Sequence, residues 1–134
     1  MTDRQFLDTN ILVYAVDRAD PGKHKRARDV LARATDAVIS AQILNEFYVV
    51  LTRKLATPAD EARSMVDALA HLRCVPVDAD LVRAAIDAGQ RWQLSHWDAL
   101  VLQAAREAGC AVVVTEDLAD GARYDGILID NPFV

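Results

Sequence analysis

Short apolar runs alternate with longer stretches of helical spacing along the chain, and this alternation limits the fold more than any other feature. Gln5 to Leu7, Ala37 to Ile39, Cys74 to Val77, Ala111 to Val114 and Gly126 to Ile129 are short and apolar and read as strands. Helix punctuation fills the intervals. Asp20-Pro21 is an N-cap followed by Pro at the first helical position, and Ala27, Val30, Leu31 and Ala34 recur at i, i+3, i+4 and i+7. Thr57-Pro58 repeats the signal, with Asp60 in the capping-box position ahead of Ala62, Met65, Val66 and Leu69. Asp78 or Asp80 opens a helix through Leu81, Val82, Ala85 and Ile86 that Gly89 can close. Ser95 opens another, bearing Trp97, Val101, Ala104 and Ala108, with Gly109 just past its end. Apolar strands separated by amphipathic helices imply a mainly parallel sheet covered on both faces, so the fold class is α/β.

At 134 residues the chain is expected to form one domain, 1–134, with a single core. Its net charge of −5 argues against a binder that holds nucleic acid by bulk charge alone. Acids gathered around a cation would, however, lose much of that charge locally. The longest uncharged stretch, Ala37 to Asn45, is too short to span a membrane, and Met1-Thr2-Asp3-Arg4 has no leader character. Cys74 and Cys110 sit in apolar runs and read as reduced core residues of a cytoplasmic protein.

In open parallel sheets, chemistry gathers beyond the carboxyl ends of the strands. Asp8 follows the first strand directly, and Asp117 follows the fourth within Thr115-Glu116-Asp117. Both have a purely structural alternative as helix caps, worth about 1 kcal/mol each. Asp98 lies three residues after Ser95 and fits a capping box there. Glu46 is harder to explain away. It is the one charge between Ala37 and Thr52, in a helix expected to be apolar nearly all round, and no Lys or Arg stands at i±3 or i±4. A carboxylate in such a place needs a distant Arg, a changed protonation state or a cation. Four acids in one cleft would repel one another, and a hard divalent ion such as Mg²⁺ or Mn²⁺ resolves that repulsion through oxygen ligands. Phosphodiester hydrolysis is chemistry that uses such an ion, to activate water and to stabilise the leaving oxygen.

At this point the ordered pieces resemble a known family. Leu7-Asp8-Thr9-Asn10-Ile11-Leu12, Ser40-Ala41-Gln42-Ile43-Leu44-Asn45-Glu46-Phe47, Ser95-His96-Trp97-Asp98-Ala99, Val114-Thr115-Glu116-Asp117-Leu118 and the closing Asn131-Pro132-Phe133 are similar to PIN domains. Within that family the chain resembles the small VapC-type ribonuclease toxins of bacterial toxin–antitoxin pairs. The resemblance implies a Rossmann-like three-layer α/β/α sandwich with a five-stranded, mainly parallel sheet in order 3-2-1-4-5. It implies cleavage of single-stranded RNA with Mg²⁺ or Mn²⁺, by in-line attack of a metal-activated water, leaving a 5′-phosphate and a 3′-hydroxyl. Carried over by position, Asp8, Asp98 and Asp117 are the more direct metal ligands, and Glu46 ligates or holds a water. Thr9, Asn10, Ser95 and Thr115 match the polar neighbours that orient the acids. Glu116 is a spare carboxylate beside Asp117. A cognate antitoxin and a homodimer are the implied protein partners.

The remaining candidates are basic and aromatic. Lys23, His24, Lys25, Arg26 and Arg28 crowd one face of the second helix, either as a solvated surface or as a strip that tracks phosphates. Arg53 and Lys54 form a second such pair. Of Trp92 and Trp97, one is expected in the core, and an exposed one can stack a base. A competing reading from another class is a catalytically silent RNA- or protein-binding module that keeps only the fold. A phosphoryl-accepting receiver domain fits poorly, because Leu7 stands where its second acid belongs and no lysine follows Lys54.

Overall fold

The computed structural model describes residues 4–134. Residues 1–3, part of the start read above for leader character, lie outside them. The described residues form strands β1 (Gln5–Leu7), β2 (Ala37–Ser40), β3 (Arg73–Val75), β4 (Val112–Val114), β5 (Arg123–Tyr124) and β6 (Ile127–Asp130). The helices are α1 (Thr9–Val16), α2 (Pro21–Arg33), α3 (Ala41–Arg53), α4 (Ala59–Ala68), α5 (Ala79–Trp92) and α6 (His96–Glu107). The sheet runs β3-β2-β1-β4-β6-β5. Gln5 pairs with Ala37 on one side and Val112 on the other, both in parallel register.

The expected order holds, with β6 as the fifth parallel strand, but the sheet has six strands rather than five. The addition is β5, which pairs antiparallel with β6 across the turn at Asp125 and Gly126. Both turn residues have left-handed φ, 49° and 85°, the backbone twist that a tight hairpin demands.

Phe6, Leu7, Val38, Ile39, Val113, Val114 and Ile129 are all essentially inaccessible. Consecutive strand residues are buried because both faces are covered, which is why the strands read as apolar runs rather than alternating patterns. Right-handed crossovers from β1 to β2 and β2 to β3 put α1 to α4 on one face, and the return from β3 to β4 puts α5 and α6 on the other. Strand order reverses between β1 and β4, so a crevice opens beyond their carboxyl ends.

Several local expectations hold. Asp20 caps α2 by accepting from the Lys23 amide, Asp78 caps α5 through the Leu81 amide, and Ser95 caps α6. Others need correction. Thr57 is not the cap of α4; its amide donates to the Leu51 carbonyl at 2.9 Å, tying it to the end of α3, and Pro58 precedes the helix instead. Gly89 does not close α5, which runs on to Trp92 and turns at Gln93 with φ of 56°. Glycine at position 89 serves packing: a Cβ there would stand 3.1 Å from the Ala99 Cβ of α6. Cys110 is buried as expected, but Cys74 is exposed, because β3 is the sheet's edge strand. Helix α3, expected to be apolar nearly all round, is not buried all round; Gln42, Ile43, Phe47 and Leu51 face inward while Tyr48 and Val49 are exposed. Among the described residues, no helix is long and apolar enough to cross a membrane.

Candidate active site

Asp8 leaves β1 and becomes the N-cap of α1, so it fills its structural role and sits at the crevice as well. It is only 7% exposed. Its Oδ1 accepts from the Thr9 amide at 2.8 Å, and its Oδ2 accepts from the Thr115 hydroxyl at 2.6 Å. Burial pushes the Asp8 carboxyl up to about 6, against the lowering effect of those two hydrogen bonds, and the charges of Asp117 and Glu46 add to the rise.

The other three acids arrive from three different elements. Thr115 Oγ1 accepts from the Asp117 amide at 3.1 Å, and Asn10 Nδ2 donates to Asp117 Oδ2 at 3.2 Å. No helix follows β4 for Asp117 to cap. Burial raises its carboxyl above the usual range, followed by repulsion from Asp98 and Glu116. Glu46, half-buried on α3, accepts from the Thr9 hydroxyl at 2.7 Å through Oε1, so a hydroxyl rather than a distant arginine meets it. Asp98 gives its amide to Ser95 Oγ at 3.2 Å in the first turn of α6, and this bond does not engage its carboxylate.

Asp8, Glu46, Asp98 and Asp117 line one cleft of about 520 Å³, with Thr9, Asn10 and Glu116 also in its wall. Thr115 is buried behind Asp8, and Ser95 acts from the helix cap. Two amide oxygens of cleft-lining residues, Asn10 Oδ1 and Gln42 Oε1, are buried without a hydrogen-bond partner. Among the described residues, no three His, Cys, Asp or Glu side chains stand close enough to form a ready-made metal cage. The donor set is nonetheless all hard oxygen, mutually repelling and poor in cations, which suits Mg²⁺ or Mn²⁺ retaining several of its own waters.

The ambiguity between Glu116 and Asp117 has a geometric answer. Glu116 accepts from the Tyr14 hydroxyl at 2.7 Å and pairs with Lys23 Nζ at 3.0 Å, whereas Asp117 has no cation beside it in its hydrogen bonds. Lys23 also lies over the rings of Tyr14 and Phe133, at 4.9 and 5.5 Å. Of the other basic candidates, Lys25 pairs with Asp29, and Arg26 donates to the carbonyls of Pro132 and Val134. Lys23, Lys25, Arg26 and Arg53 all lie off the cleft wall; Lys54 is on it. Sequence reasoning missed Tyr14 and Gln42 as wall residues. The signal was there, since each stands four residues from a named one on the same helix face, Asn10 and Glu46 respectively.

The PIN domain family model matches residues 6–124. Among curated proteins, none matches this chain in sequence. Solved structures do match. The Mycobacterium tuberculosis VapC20 toxin, described as cleaving the sarcin-ricin loop, is 23% identical, with a TM-score of 0.70 over 81% of this chain and 86% of that one. A toxin–antitoxin complex from Klebsiella pneumoniae is 21% identical, with a TM-score of 0.70 over 96% and 97%. A DNA-bound VapBC complex from Salmonella typhimurium is 20% identical, with a TM-score of 0.66 over 98% and 99%.

Proposed function

The chain belongs to the PIN-domain family, and from that premise we propose that it is a metal-dependent endoribonuclease acting on single-stranded RNA, the toxin of a toxin–antitoxin pair. The observation that carries this reading is the cleft: four carboxylates from four separate elements face one space, and the three of them that accept hydrogen bonds are held by hydroxyls and amides rather than by arginines. Helix capping accounts for Asp8 alone and leaves the convergence of all four on one cleft unexplained.

We read residues 1–134 as a single PIN domain using Mg²⁺ or Mn²⁺, with Asp8, Asp98 and Asp117 as the more direct ligands and Glu46 assisting. When bound, such an ion supplies positive charge for the phosphate oxygens and acidifies a water. The chain's own residues do the rest. The Thr9 amide and the Thr115 hydroxyl fix both oxygens of Asp8, so its carboxylate cannot swing away from the cleft. The Thr9 hydroxyl holds one oxygen of Glu46, leaving Oε2 to face a water and accept its proton. Asn10 orients Asp117 in the same way.

A cognate antitoxin as inhibitor and a homodimeric state belong to this reading; the toxin–antitoxin complexes among the structural neighbours support the first. The test compares wild type with Asp98→Asn on labelled RNA in Mg²⁺, Mn²⁺ or EDTA. Cutting by wild type alone, lost in EDTA and leaving 5′-phosphates, is expected. Equal cutting by both proteins, or cutting that survives EDTA, overturns the four-acid mechanism, and no cutting at all favours the silent binding module.

A further inference from the structure

We propose that Trp97 is the stacking platform for a nucleobase of the strand that enters the cleft; the inference rests on the endoribonuclease reading above. Trp97 is 64% exposed, although a tryptophan carries one of the largest apolar surfaces available for burial. It lines the same cleft as the four acids and directly precedes Asp98. Its backbone is braced: Gln42 Nε2 donates to the Trp97 carbonyl at 3.3 Å, tying the first turn of α6 to α3 one helical turn ahead of Glu46. The His96 ring stands edge-on to the indole, centroids 5.5 Å apart and planes at 65°. The ring is therefore carried on a braced helical turn in the wall of the cleft and remains open to solvent.

Electrostatics points to the same occupant. Lys54 is the cation of the cleft wall among the described residues, set against the four carboxylates, Asp17 and Glu116. Phosphate contacts alone fit such a surface badly. An uncharged ring that takes the π-face of any base adds affinity without opposing the field. Gln42 supplies a second, independent observation: it is 7% exposed, lines this wall, and its Oε1 has no hydrogen-bond partner. A ligand N–H, as on the edge of a base, would satisfy that acceptor once the amide shifts enough to expose it, since the oxygen itself has almost no accessible surface.

The experiment uses Trp97→Ala and Trp97→Phe with a short single-stranded RNA that wild type cuts at a mapped bond in Mg²⁺. A second set of RNAs carries one abasic residue at each position flanking that bond. Trp97→Ala is expected to lower kcat/KM by about 5- to 150-fold, the range for losing one stacked base, and Trp97→Phe to recover most of it. One abasic position should cost wild type a similar factor and cost Trp97→Ala nothing further. A purely structural role for Trp97 would not produce that position-specific coupling. Equal kcat/KM for Trp97→Ala and wild type, or losses that multiply at every abasic position, overturns the stacking proposal while leaving the nuclease in place. Failure of wild type to cut any RNA in either metal overturns both. Thermal unfolding of Trp97→Ala is expected to match wild type, since the ring is exposed, so lost activity is not lost fold.

Discussion

Asp8 and Asp125 stand at opposite edges of the same sheet, one after the end of β1 and the other before the start of β6. Asp125 has two arginines: Arg91 of α5 at 2.6 Å and Arg106 of α6 at 3.1 Å. The Arg91 guanidinium holds its carboxyl below the usual range. Asp8 is buried, receives an amide and a hydroxyl, and titrates near 6. At the Asp125 edge an acid is used as a staple between the hairpin and the helix pair. At the Asp8 edge, acids are collected without counter-charges, and the fold is less stable for it. The difference separates a carboxylate neutralised by ion pairs from one left available to a cation, which is what the proposed function asks of Asp8.

The sharpest way to break the comparison is to neutralise each acid of the cleft. Asp98→Asn and Asp8→Asn should each lower cleavage on the order of a thousandfold, read as kcat/KM on a cut RNA. Asp8→Asn should also stabilise the metal-free protein at neutral pH. Raising a carboxyl from 3.8 to about 6 corresponds to roughly 3 kcal/mol, so a rise in the urea midpoint is expected where most buried polar substitutions lower it. The pH dependence follows the same sign. Below about 3.8 Asp8 is protonated in both the folded and unfolded chain; as pH climbs through about 6 the folded state must give up its proton, and that stability is lost. Asp125 works the other way, contributing above the ordinary carboxylate range and losing its contribution as pH falls. Metal-free unfolding measured from about pH 2 to 8 in wild type, Asp8→Asn and Asp125→Asn should show these opposite slopes, the Asp8 slope between 3.8 and about 6 and the Asp125 slope below 3.8. Thr9→Val removes the donor to Glu46 and should cost activity by about 10- to 100-fold, with little change in melting temperature. The smallest effect is expected at Lys25, whose exposed pair with Asp29 lies away from the cleft; Lys25→Ala should change cleavage and stability by no more than about twofold.

Most of the fold was readable because a doubly covered parallel sheet writes its strands as apolar runs and its helices as capped amphipathic segments. Asp20, Asp78 and Ser95 marked helix starts through local chemistry, and all three make the cap bonds expected of them. β5 went unread because two residues carry no periodicity, although Asp125-Gly126 is itself a strong hairpin signal. The exposure of Cys74 depends on strand order, which no local pattern encodes. In the cleft, Asp8 and Asp117 stood out by their position after strand ends and Glu46 by its lone charge, whereas Asp98 fitted a capping box and joined them only through the family resemblance. The pairing of Lys23 with Glu116, 93 positions away, is a tertiary fact. It gives Lys23, a half-exposed candidate for RNA contact, a partner in Glu116 of the cleft wall.

Gly89 shows how far the site's requirements extend. The glycine lies on α5, off the cleft, yet it leaves the space that the Ala99 methyl approaches, and Ala99 is the neighbour of Asp98. A methyl group added at position 89 would press on α6 one residue from the Asp98 carboxylate and shift that carboxylate's address by tenths of an ångström. Such a substitution would look conservative in composition and leave every cleft residue in place. The tolerance of this domain to drift is therefore narrower than a map of its cleft residues would suggest, since part of the site is written as a missing atom on another helix.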